Sequence, residues 1–166
     1  VVTAVDETRL PGESGAAMVE RLARAKAQAV RDHGGLPVLA ADTTVVCGER
    51  VLEKPANAEG ARAMLRMLAG RSHDVATGVC VSHDGALRSG VCLTRVEFAP
   101  MSDAEIEWYV ASGEPMDKAG AYHIGGQGAL FVTGTFGSPS NVAGLPVRLV
   151  RELLRLAGLE LAASAS

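Results

Sequence analysis

The run Leu36–Cys47, LPVLAADTTVVC, places a carboxylate in the middle of an otherwise apolar, β-branched stretch. Such a run reads as a buried strand, because short apolar runs rich in Val and Thr suit a strand covered on both faces. Asp42 interrupts it. An ionised carboxylate in that setting is costly unless it is paired or coordinates a metal. Two readings are open: a turn-initiating Asp that accepts from the Thr43 and Thr44 amides, or a functional acid.

The flanking sequence supplies punctuation. Ser14 can cap a helix running to about Asp32, with Val19, Leu22, Ala23, Lys26, Ala29 and Val30 on one face and Gly34-Gly35 behind it. Gly48-Glu49 turns the chain into a short strand, Arg50–Leu52, closed by Lys54-Pro55. Asn57 is placed to cap a second helix ending at Leu68. Two β-rich runs, His73–Ser82 and Leu87–Phe98, flank Asp84-Gly85, a hairpin signal. Ser102-Asp-Ala-Glu105 is a capping box for a helix to about Ser112. Gly120–Gly128 reads as a loop, Ala129–Thr133 as a strand, and Leu145–Ala157 as a helix with Leu145, Leu149, Leu153 and Leu156 on its apolar side. This order predicts one α/β domain over residues 1–166: a mixed β-sheet with flanking helices.

Composition narrows function. The chain has 166 residues, 48% apolar and 21% charged, enough for one domain with a real core. A net charge of −3 and 4% aromatics argue against binding a nucleic-acid duplex or stacking on single strands. No long apolar run predicts a membrane helix, and VVTAVDETRL lacks the pattern of a signal peptide, so a cytoplasmic location is expected. Cys47, Cys80 and Cys92 fit neither a zinc site nor a redox pair and read as small buried hydrophobes. His33, His73, His83 and His123 lack metal-ligand spacing. No phosphate-binding P-loop or dinucleotide fingerprint occurs.

What remains is a scatter of carboxylates and lysines on strand ends and turns: Asp6-Glu7, Lys26, Asp42, Glu53-Lys54 and Asp117-Lys118. Singly, each reads equally well as solvated. Together they suit metal-assisted attack of water on a polyphosphate, since Mg²⁺ takes one or two carboxylates plus phosphate oxygens and lysines supply point charges.

The strings LPVLAADTTVVCGERVLEKP, Val5-Asp-Glu7, Arg21-Leu-Ala-Arg-Ala-Lys-Ala27, Ala61–His73, Gly113–Tyr122 and Ser140-Asn-Val-Ala-Gly-Leu-Pro146 occur in order over roughly residues 5–157. They resemble the Maf family of nucleotide pyrophosphatases, whose fold is similar to that of the inosine triphosphate pyrophosphatases. The resemblance implies a nucleotide cleft, a divalent metal (Mg²⁺ or Mn²⁺), and hydrolysis of nucleoside triphosphates to monophosphate and pyrophosphate. It implies Asp42 as proton acceptor or metal-bound carboxylate, Glu7 at the metal, Lys26 and Lys54 on the triphosphate, and Thr43 at the base. Arg71 is a further candidate for the phosphates. The string Glu114–Tyr122 is similar to the branch acting on dTTP and UTP. Family members often form homodimers.

Two departures stand out. The family's S-x-S-P-R-R phosphate string is not found in this sequence, so a chain shortened at its N-terminus is expected, with an uncovered sheet edge. The base-selecting loop reads Tyr122-His-Ile-Gly-Gly126, with Gly125 where Gln is usual, leaving Gln127 or His123 to reach the base. Two other functions compete with pyrimidine hydrolysis. One is a non-catalytic nucleotide sensor or division-regulating module, and the other is a purine house-cleaning enzyme for inosine or xanthosine triphosphate.

Overall fold

The computed structural model describes residues 4–30 and 34–160. Among the described residues five strands form one sheet: β1 (Val38–Cys47), β2 (Arg50–Leu52), β3 (Ser72–His83), β4 (Ala86–Phe98) and β5 (Val132–Phe136). Their spatial order is β2-β1-β3-β4-β5. Every pairing is antiparallel, which corrects the expectation of a mixed sheet. For β1–β2 and β3–β4 the physical reason is local: short turns at Gly48-Glu49 and Asp84-Gly85 return the chain directly beside itself, as only antiparallel neighbours allow.

The helices are α1 (Gly15–Ala29), α2 (Ala58–Leu68), α3 (Asp103–Ala111), α4 (Pro139–Val142) and α5 (Val147–Leu156). Three begin at the expected caps. Ser14 accepts from the Ala17 amide at 3.2 Å and Asn57 from the Gly60 amide at 2.8 Å, and Ser102 and Glu105 close a capping box. Helix α1 ends at Ala29, and Asp32 and His33 lie outside the described residues. Among the described residues no helix is long and apolar enough to cross a membrane.

Strand β3 is buried on both faces, which explains its near-continuous apolar sequence. Side chains alternate along it. Cys80 meets Ala23 and Ala27 of α1 on one side, while Val79 and Val81 meet Leu153 of α5 on the other. The largest core joins Val45, Val75 and Val96 of the sheet to Leu65 and Leu68 of α2 and Ile106 and Tyr109 of α3. His73 sits in that core, its Nε2 2.9 Å from the Tyr122 hydroxyl and its ring edge-on to Phe98 and Tyr122. All three cysteines are free, with Cys47 and Cys80 buried.

Other boundaries moved. Residues Gln127–Phe131 form a 3₁₀ turn rather than the start of a strand, so β5 begins at Val132. The Glu114 carboxylate winds that turn, accepting from the Gln127 and Gly128 amides at 3.0 Å each. Leu145 precedes α5, and both Leu145 and Leu156 are exposed; the packed stripe is Leu153, which is buried, with Leu149, Val150 and Leu154 partly buried beside it. The short helix α4 has no sequence signal that we identified.

Gly78 lets α1 lie directly on β3: a Cβ there would stand 2.3 Å from the Val19 carbonyl oxygen, a backbone atom that cannot swing aside. Gly78→Ala is expected to cost about 3 kcal/mol or more in denaturant unfolding. Gly90→Ala, whose new Cβ would meet only the flexible Leu149 side chain at 3.2 Å, is expected to cost much less. His73 offers a second test. Burial holds its imidazole down at about 4, with Asp74 opposing, so the fold prefers the neutral ring. Its contribution is present above the ordinary histidine range and is lost as pH falls toward 4. His73→Gln should therefore lose less melting temperature than the wild type between pH 7 and pH 4.5.

Candidate active site

Period-two alternation sends Asp42 and Thr43 to opposite faces of β1. Asp42 points at α1 and meets Lys26, whose Nζ lies 2.5 Å from Asp42 Oδ1. The same ammonium lies 2.6 Å from Glu7 Oε1. The partner of Asp42 is thus a helix lysine and not the Thr43 and Thr44 amides, so Asp42 does not initiate a turn. Lys26 and Asp42 are both mostly buried, whereas Glu7 is half exposed.

Glu7 belongs to an irregular segment, and its placement depends on a clamp that sequence reasoning missed. Arg21 on α1 holds Glu13 through two bonds of 2.7 and 2.8 Å and donates to the Thr8 carbonyl at 3.1 Å. Glu13 in turn accepts from the Leu10 amide at 3.1 Å. The spacing of Glu13 and Arg21 carries no helical signal, because Glu13 lies before the helix begins.

The energetics of the pair are uneven. Burial pushes the Asp42 carboxyl above the usual carboxylate range, and the Lys26 hydrogen bond recovers only part of that rise. Burial pulls the Lys26 ammonium down, but its bonds to Asp42 and Glu7 carry it above the ordinary lysine value. Asp42 is therefore a carboxylate with raised basicity, held beside a fixed positive charge.

Around this pair a cavity of about 330 Å³ wraps the edge of β1. Strand β2 covers that edge only opposite Val45–Cys47, so among the described residues no strand lies beside Val38–Thr44 there. Lys26 and Asp42 line the cavity from the α1 side. Thr43, Val45, Val75, Tyr122 and His123 line it from the opposite face, with Val142–Gly144. Lys54 and Lys118 add two more cations. Lys118 is paired with Asp117 at 2.6 Å. The Lys54 end is tied down by the Gly120 amide, which donates to the Glu53 carbonyl at 3.2 Å. Gly120 itself packs on Val45, where a Cβ would come within 2.8 Å of that side chain. A second, contiguous cavity of about 270 Å³ shares Lys26, Asp42, Thr43 and Lys54 and adds Glu7 and Glu53.

Five expected site residues thus converge: Glu7, Lys26, Asp42, Thr43 and Lys54. Two do not. Arg71 is exposed at the Ser72 end of β3, roughly 20 Å along the strand from Gly78, the partner of Asp42. Gln127 is exposed and contributes its backbone amide to Glu114, so its side chain is not part of the cavity lining. His123 takes its place there. Lys118 lines the cavity while paired with Asp117.

The donor chemistry suits a hard cation. Glu7 and Asp42 aim carboxylate oxygens at one positively charged group, as they would at Mg²⁺. Among the described residues no cluster of three or more His, Cys, Asp or Glu forms a complete protein cage, so such an ion would also need oxygens from substrate and water.

Residues 1–157 match the family model described as Maf-like protein. The chain belongs to the Maf family. Among its relatives, a dTTP/UTP pyrophosphatase of Anaeromyxobacter sp. (strain Fw109-5) is 54% identical over 158 residues, covering 92% of this chain and 76% of the relative. A dTTP/UTP pyrophosphatase of Myxococcus xanthus (strain DK1622) is 52% identical over 160 residues, covering 95% and 80%. One of Shigella sonnei (strain Ss046) is 47% identical over 156 residues, covering 93% and 79%. In this Maf chain, the shared cavity gathers the residues that the family resemblance singled out around Asp42.

The Arg21 clamp generates a direct test. Arg21→Met removes both the Glu13 pair and the Thr8 contact. Hydrogen exchange followed by mass spectrometry should then show faster exchange over residues 7–13, with protection of β3 unchanged.

Proposed function

We propose that this Maf chain is a nucleoside triphosphate pyrophosphatase acting on dTTP and UTP. The observation that carries the reading is the buried Lys26–Asp42 pair at the edge of a cavity that also holds Lys54 and Lys118. Relatives that are dTTP/UTP pyrophosphatases support the substrate class. In this reading the triphosphate lies toward the lysines and the base toward Thr43, Tyr122 and Val142.

Hydrolysis adds water across the anhydride between the α- and β-phosphates. The water oxygen forms a new P–O bond, the bridging P–O bond breaks, and the monophosphate and pyrophosphate separate. Asp42 takes the proton of the attacking water. Its burial raises its affinity for that proton, which is what a general base requires. Lys26 and Lys54 neutralise phosphate charge, and Lys118 stands where it can do the same. Glu7 and Asp42 would hold a divalent cation, which supplies charge neutralisation at the phosphate oxygens. Lys26 then exchanges part of its pairing with the carboxylates for contact with phosphate.

Pyrophosphate release from UTP and dTTP with Mg²⁺ or Mn²⁺ tests this. Asp42→Asn should lower kcat about 10²- to 10⁴-fold while UTP still binds. Absence of pyrophosphate release from either nucleotide by folded protein would remove the reading.

A further inference from the structure

Thr43 does not stand alone in the cavity wall. Its Oγ1 lies 2.9 Å from Thr77 Oγ1 on the neighbouring strand, and either hydroxyl could donate on distance alone. The next contact supplies a direction. Thr77 Oγ1 lies 3.3 Å from the backbone carbonyl oxygen of Asn141. A carbonyl only accepts, so in that bond the proton is Thr77's. Thr77 is fully buried, and no solvent offers it an alternative. The Thr43 proton is then the one that fills the Thr43–Thr77 contact. Thr43 is left with lone pairs alone to present to the cavity.

Asn141 is built to hold this arrangement. It is fully buried, and its Nδ2 donates to the Val75 carbonyl at 3.0 Å and to Thr94 Oγ1 at 2.9 Å. The amide orientation follows from chemistry, since the Val75 carbonyl can take only the –NH₂ side. Asn141 therefore fixes α4 against both β3 and β4. Gly144 follows in the same turn, its amide donating to the Asn141 carbonyl at 2.9 Å. A Cβ on Gly144 would stand 3.8 Å from Thr43 Oγ1, so glycine leaves that hydroxyl uncovered.

We propose that Thr77 and Asn141 fix the polarity of the Thr43 hydroxyl, so that it meets the nucleobase only as a hydrogen-bond acceptor. This rests on the reading of the cavity as a pyrimidine nucleotide site, and it gives that site a rule. Uracil and thymine carry an N3–H donor, which an acceptor-only hydroxyl satisfies. Cytosine carries a lone pair at N3, which the same hydroxyl repels. Thr43 is the contact residue, and Thr77 and Asn141 are positioning residues that act through it. A buried site committed to one hydrogen-bond polarity rejects the mismatched partner strongly, because the mismatch leaves polar groups unpaired.

The test compares kcat/KM for UTP and CTP in the wild type, Thr77→Val and Thr77→Ser. Valine keeps the branched shape, and the Asn141 carbonyl keeps the Gly144 amide, but the Thr43 hydroxyl becomes free to donate. The UTP-to-CTP ratio should fall about tenfold in Thr77→Val and stay near wild type in Thr77→Ser. Wild-type protein should also turn over N3-methyl-UTP poorly, a readout that needs no variant to fold. An unchanged ratio in Thr77→Val, an equal loss in Thr77→Ser, or N3-methyl-UTP hydrolysed as well as UTP would each overturn the polarity rule while leaving the pyrophosphatase standing. Wild type that releases no pyrophosphate from UTP or dTTP would instead overturn the activity, and the rule with it.

Discussion

The Lys26–Asp42 contact joins the first helix to the strand beside it, and much of the site depends on it. It sits where α1 crosses the sheet, on the face that Gly78 leaves open for close approach. A carboxylate buried that deeply needs a partner. The helix supplies one, but pairing does not return Asp42 to ordinary acidity. The fold therefore holds a charged pair in which one member keeps an appetite for a proton. Glu7 joins the same ammonium, and Arg21 holds the segment between Glu7 and α1 through Glu13 and the Thr8 carbonyl.

The two faces of β1 serve different sides of the cavity. Asp42 looks toward α1 and Lys26, while Thr43, one residue on, looks toward α4 and Tyr122. A one-residue slip in the β1–β3 register would exchange these roles. That register is fixed by nine consecutive residues of β1, Val38 to Val46, each opposite a residue of β3. Buried side chains on both faces of β3 resist any slip, because it would move polar side chains into the core.

Much of this was legible beforehand. The caps at Ser14, Asn57 and Ser102 act locally, so three residues of spacing suffice to announce them. The hairpin at Asp84-Gly85 is equally local. Asp42 was conspicuous because a lone acid in an apolar strand demands an explanation. Other features resisted. The 3₁₀ turn before β5 is wound by Glu114, which lies 13 residues from Gln127 and 14 from Gly128, and nothing in the segment's own composition signals that contact. Arg71 and Gln127 lie outside the cavity lining for the same reason: charge and amide chemistry are visible in a sequence, while the direction a strand end or loop faces is not.

The amino-acid sequence by itself determined most of the elements, the caps at Ser14, Asn57 and Ser102, the acid within β1 and the family, because these follow from neighbouring residues and from ordered strings. Tertiary structure decided the partners. Lys26 stands 16 residues from Asp42, Thr77 stands 34 from Thr43, and Asn141 stands 64 from Thr77. Periodicity and propensity carry no information over such separations. Only the packing of α1 and α4 on opposite faces of the sheet brings these groups within hydrogen-bond distance and sets which atom must give the proton and which must accept it.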